Sequence, residues 1–204
     1  MKTTTGRLLA AAWLLLAAGC GDAETAGPGE NQGQATLETP VRPAASLVPV
    51  AELPPAPVPN KKLYARSFIN QRVPDLFVDT WITPQPSTRG KMVLIDFWAT
   101  WCGPCCKAIP DLNALHRRFA DRLVVIGLSE ETVDAVEAMS QPRIEYYHGV
   151  DPQQRTKSAL GVQGIPHVVI IDPTGVVRWE GFPFMPGHEL TEEVVAKLLD
   201  TYVR

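Results

Sequence analysis

Apolar residues fall into three regimes along this chain. From Leu8 to Ala18 they run unbroken. Across residues 21–60 they thin out among Pro, Ala, Gly, Glu and Gln, with no aromatic residue, and from about Leu63 they return in strand-like and helix-like spacings. The first run, behind Lys2 and Arg7, has the length of the apolar core of an export signal. It is too short to cross a ~30 Å hydrocarbon layer as a helix. The middle segment is densest in proline at Leu53-Pro54-Pro55-Ala56-Pro57-Val58-Pro59. It cannot bury enough apolar surface to offset chain entropy, and it reads as an extended tether with a mean span of roughly 35 Å. The expected division is a signal segment over 1–19, a tether over 20–62 and one globular domain over 63–204.

Within that domain the pattern predicts alternating elements. Val73 to Asp79 reads as an entering loop and short strand, and Met92 to Trp98, rich in branched residues, as a strand. Ile109, Leu112, Leu115 and Phe119 recur at helical spacing, predicting a helix from Cys102 to about Phe119. Leu123 to Leu128 is a continuous apolar run, as in a strand buried on both faces. Ser129 is expected to cap a second helix, with Glu130 and Glu131 favourable at its positive end. Asp151-Pro152 opens a further helix that Gly161 stops. Ile165 to Asp172 and Val176 to Glu180 flank the turn Asp172-Pro173-Thr174-Gly175 as a strand pair. Leu190, Val194, Val195, Leu198 and Leu199 form the apolar stripe of a closing helix from about His188 to Tyr202. The order implies an α/β domain: a mixed sheet with helices on both faces.

Charge narrows the function. The net charge of −3 is well mixed, without the basic stripe of a nucleic-acid binder, so no nucleic-acid partner is expected. Four cysteines are too few for a disulfide-stapled scaffold. One of them ends Leu16-Ala17-Ala18-Gly19-Cys20, which resembles a bacterial lipobox, with Ala17 where Leu is commoner. A lipidated Cys20 would carry thioether- and amide-linked chains, enough for a stable membrane anchor. Ordinary cleavage near Ala18 would leave Cys20 as a stray thiol instead, although secreted proteins rarely keep an unpaired cysteine without a use.

The other three cysteines lie within Phe97-Trp98-Ala99-Thr100-Trp101-Cys102-Gly103-Pro104-Cys105-Cys106, at a strand-to-helix junction. A cysteine at a helix N-terminus meets unpaired amides and the positive end of the dipole, which favour its thiolate. Cys102 is therefore the candidate nucleophile, and Cys105, one turn along, the resolving thiol. Gly103 admits a partner backbone, and Pro104 fits the first turn without losing a needed hydrogen bond. Trp101 flanks the nucleophile and would shape a substrate groove. Asp96 interrupts an apolar strand on the face of Leu94 and Trp98. Burial there would raise its pKa and suit it to accept a proton.

With these residues the chain resembles the thioredoxin superfamily, and within it the membrane-anchored TlpA-type thiol–disulfide oxidoreductases, from about Val73 to the C-terminus. The resemblance implies a thioredoxin-like fold and a redox-active Cys102–Cys105 pair. It matches Pro110 to a helix-kinking proline, and Gly164-Ile165-Pro166 to a loop whose proline is cis beside the thiols. Ile165 would there pair its backbone with an extended client. It also matches Asp96 to a buried proton acceptor. Protein thiol or disulfide clients are implied, by analogy apocytochrome c, with a membrane carrier that re-reduces the pair. The implied setting is the periplasmic face of a bacterial envelope membrane, the chain acting as a monomer without a cofactor. Two departures stand out. Ala108 replaces the Glu common three residues after the second cysteine, and Cys106 stands where Lys or Arg is usual.

Other readings start from the same residues. Cys102 and Cys106, four apart on one helix face, with His148 or His167, faintly resemble a Sco-type copper chaperone, whose soft ligands suit copper. Cys106 as a small packing residue is the plainer alternative. A structural zinc site lacks a second cysteine pair. A peroxidase of the peroxiredoxin class fits poorly, because the pair is built for dithiol exchange. A binding-only lipoprotein would use Trp81, Trp98, Trp101 and Trp179 as a ligand face, although such aromatics are commonly core. His116 and His188 are expected on helices and solvated.

Overall fold

Met92–Trp98 (β2) is the central strand, and all seven of its residues are buried. It pairs in parallel with Leu123–Ser129 (β3) and antiparallel with His167–Ile171 (β5). The six-stranded mixed sheet, seen in a computed structural model that describes residues 63–203, is completed by Thr80–Trp81 (β1), Tyr147–Val150 (β4) and Val177–Gly181 (β6), in the order β1-β4-β3-β2-β5-β6. The expected signal segment, Cys20 and the tether lie outside the described residues. No helix among the described residues is long and apolar enough to cross a membrane.

Strands of β2, β3 and β5 carry branched apolar residues on both faces because both faces are covered, which explains their unbroken apolar runs. On one side Leu94, Trp98, Val125 and Ile170 pack beneath helix Gly103–Arg118 (α1) and helix Glu192–Tyr202 (α4), with Val136 of the short helix Val133–Glu137 (α2). On the other side Val93, Ile95, Phe97 and Val169 meet Phe68 and Leu76 of the entering segment and Leu160 beyond helix Arg155–Ala159 (α3). The expected thioredoxin-like architecture is the one observed.

Several boundaries differ from the sequence expectation. The entering segment forms its short strand at Thr80–Trp81, not within 73–79. Strand β4, which no apolar pattern announced, carries His148 and Gly149. A Cβ on Gly149 would lie 2.6 Å from Val78 Cγ1 and 2.7 Å from the Thr80 carbonyl oxygen, so glycine is what lets β1 approach. Thr132, not Ser129, caps α2, its hydroxyl accepting the Ala135 N–H. Helix α3 starts at Arg155, and Asp151 accepts the Thr156 N–H at 3.0 Å from before the intervening turn. Helix α4 starts at Glu192 beneath Thr191, so His188 precedes it. The two histidines expected on helices and solvated are both half-buried: His116, on α1, meets Tyr147 edge-on at 5.4 Å, and His188, ahead of α4, stacks on Trp179 at 4.8 Å.

Candidate functional site

The turn that leaves β2 and enters α1 builds the site. The Cys102 N–H donates to the Ala99 carbonyl at 3.1 Å, closing the turn and leaving Cys102 as the N-cap of α1. Its Sγ accepts the Cys105 N–H at 3.2 Å, the role a Ser or Asp oxygen usually fills at a helix start. Pro104 sits in the first turn, where its missing N–H costs nothing. Cys102 and Cys105 form a disulfide. The two sulfurs are not equivalent, because Cys102 is 5% exposed and Cys105 fully buried. Trp101 beside them is 68% exposed, and space over Gly103 is open. Trp98 and Trp179 are core, as expected of aromatics in such a fold.

Asp96 is completely buried on the sheet face that α1 covers. Burial pushes its pKa from 3.8 to about 7, and a hydrogen bond from the Tyr146 hydroxyl, at 3.4 Å to Oδ2, opposes that rise. Its Oδ1 and the Trp98 indole N–H, both buried, have no protein partner. Gly127 pairs with Asp96 across β2 and β3. A Cβ there would fall 2.9 Å from the Tyr146 ring and 3.0 Å from Trp98 Nε1, so this glycine makes room for both rings around the carboxyl. Sequence reasoning passed over Tyr146 and Gly127. A glycine inside a fully buried strand was the available signal.

The Ile165–Pro166 peptide bond is cis, and Phe97 pairs with His167, which brings this loop to the end of β2 from which the cysteine turn departs. Ile165 packs against the apolar cluster containing Cys102 and Cys105. A groove of about 340 Å³ opens along the loop, lined by Tyr64, Gln163, Gly164, Ile165, Pro166 and Phe182. Cys106 is half-buried, and its thiol donates to the Thr100 carbonyl at 3.6 Å. Burial raises its pKa, and the Glu131 charge adds to the rise. Glu131 was expected at the start of α2; its carboxylate instead accepts the Thr100 N–H and hydroxyl, each at 2.7 Å.

The copper ligands of the alternative reading are not gathered. His167 is buried in β5 beside Phe97, and His148 Nδ1 lies 3.1 Å from the Tyr146 carbonyl. Among the described residues no three of His, Cys, Asp and Glu come together as a metal ion would require.

Residues 69–180 match the AhpC/TSA family. Thioredoxin-like protein YneN of Bacillus subtilis is 29% identical over 115 residues, covering 53% of this chain and 68% of that protein. Thiol:disulfide interchange protein HelX of Rhodobacter capsulatus is 30% identical over 118 residues, covering 54% of this chain and 60% of that protein. The matched stretch spans 53% to 68% of the length of the first such relatives. The thioredoxin domain of a thiol-disulfide oxidoreductase from Bacteroides vulgatus superposes with a TM-score of 0.52 at 20% identity, over 67% of this chain and 98% of that domain, a likeness of fold.

Proposed function

The chain belongs to the AhpC/TSA thioredoxin-like family, and from that premise we propose that it is a thiol–disulfide oxidoreductase working through Cys102 and Cys105. The observation that carries the reading is the disulfide at the start of α1, in which Cys102 keeps a narrow exposed edge beside Trp101 while Cys105 is fully buried. In the reducing direction the Cys102 thiolate attacks a client disulfide. One client sulfur joins Cys102 and the other leaves as a thiolate. Asp96 then takes the Cys105 proton, and the Cys105 thiolate attacks Cys102 Sγ. That step releases the second client thiolate, re-forms the Cys102–Cys105 bond and delivers two electrons to the client. A pKa of about 7 lets Asp96 accept and return that proton near neutrality. Ile165 would offer its backbone to an extended client beside Pro166.

Names of relatives, thiol-disulfide oxidoreductase and thiol:disulfide interchange protein, support the exchange chemistry. The export-signal pattern and Cys20 support an extracytoplasmic, lipid-anchored chain. In an oxidising compartment a reductase needs a membrane electron carrier to recharge it, and exported cysteine proteins, apocytochrome c among them, are its clients. Equilibration of the chain in glutathione or dithiothreitol buffers, with thiols counted by mass spectrometry, tests the reading. A reversible two-electron couple below the glutathione range, lost in Cys102→Ser, is expected. Absence of such a couple would sink it, and a couple that vanishes with copper and returns on chelation would favour the metal reading. Cys105→Ser should trap a client on Cys102.

A further inference from the structure

We infer that Glu131 and Thr100 form a clamp that positions Cys102, with the Cys106 thiol as its brace. The inference rests on the exchange reading above and assigns residues it does not use. Every polar group of Thr100 is held. Its N–H and hydroxyl both go to the Glu131 carboxylate at 2.7 Å, and its carbonyl takes the Cys106 thiol proton at 3.6 Å. The Ser129 hydroxyl, 3.1 Å away, donates to Glu131 Oε2. Thr100 lies inside the turn that the Cys102 N–H closes onto Ala99. The nucleophile's turn is therefore tied to two places besides β2: the loop after β3 and the first turn of α1.

Glu131 can serve here because Thr132 caps α2, so the carboxylate just before the cap has no capping duty. Hydrogen bonds to a carboxylate are stronger than neutral ones, and a bidentate pair fixes direction as well as distance. The fixed turn holds Cys102 Sγ over the Cys105 N–H, the contact that favours its thiolate. Cys106 serves as a neutral donor here: burial and the neighbouring Glu131 charge both hold its proton on. This explains a cysteine beside the redox pair that need not join it.

A charge near a thiolate and a clamp on its turn have opposite consequences, which makes the inference testable. Removing a nearby negative charge alone would favour the thiolate and speed its alkylation. Loosening the turn would slow it. The reduced full chain is treated with iodoacetamide at pH 7, and modification of Cys102 is followed by mass spectrometry. Glu131→Ala and Thr100→Val are each expected to slow Cys102 about fivefold or more, while Thr100→Ser, which keeps the hydroxyl, restores the rate. Thr100→Val retains the charge and decides the matter if Glu131→Ala fails to fold. A faster or unchanged rate in both variants, accompanied by a lower melting temperature, would reduce the pair to fold support and overturn the inference. Loss of the reversible couple in the unaltered chain would instead overturn the exchange reading, and leaves the alkylation comparison standing.

Discussion

At the scale of single residues the buried carboxyl dominates. Folded Asp96 holds its proton to about pH 7, while the unfolded group releases it near 3.8. Between those values the folded chain binds the extra proton, so stability contributed here is full below about pH 4 and falls as pH rises to 7. The loss amounts to roughly 4 kcal/mol. Asp96→Asn should therefore stabilise the chain by a few kcal/mol more at pH 8 than at pH 4 in urea unfolding. The same variant should slow disulfide exchange at neutral pH and erase the rate inflection near 7. Equal stabilisation at both pH values would contradict the assigned proton affinity. Tyr146 opposes the rise, so Tyr146→Phe should move that inflection upward. Gly127→Ala should disturb the same carboxyl without touching it, by displacing Tyr146 or Trp98.

At the scale of elements the sheet centre and its β6 edge were legible and the β1–β4 edge was not. Strands β2, β3 and β5 are continuous apolar runs because helices or the entering segment cover both faces. Helix α1 showed in its spacing and in its Trp-Cys-Gly-Pro-Cys opening. Strand β4 was hidden because four residues, including His148 and Gly149, are too few to show a period. The roles of Glu130 and Glu131 misled for a different reason. Ser-Glu-Glu ahead of an apolar run looks like a helix start, yet Glu131 is claimed by Thr100 and Glu130 pairs with Lys157. Asp96 and the cysteine pair were readable because a carboxyl in a buried strand and a C-x-x-C at a helix start are conspicuous locally. Their partners Tyr146 and Thr100 became visible only through contacts between elements. At the edge, Gly149→Ala should push β1 off β4, costing about 1–3 kcal/mol in denaturant unfolding. A cost near zero would mean that β1 adds nothing to the sheet.

At the scale of the whole molecule, the segment before the first strand is part of the domain. Phe68 is buried in the core opposite α1. The buried Glu180 carboxylate accepts the Ser67 hydroxyl and, at 2.8 Å, the Phe68 N–H. Asn70 and Gln71 exchange backbone hydrogen bonds with Val177. A chain beginning at Val73 should therefore be less stable than one beginning at Leu63 by about 3–5 kcal/mol, through lost aromatic burial and the loss of the Ser67 and Phe68 hydrogen bonds to Glu180. Thermal unfolding of the two lengths checks this, and equal midpoints would show the segment to be dispensable. The truncation should leave the Cys102–Cys105 couple itself little changed, since none of these contacts reaches the cysteine turn.

The Tyr64 carbonyl accepts the Gln163 N–H at 2.8 Å, immediately ahead of the Gly164-Ile165-Pro166 loop. That contact gives the chain a mechanical address. Tyr64 also lines the groove along that loop, so under the exchange reading the segment entering the domain and a bound client would bear on the same few residues.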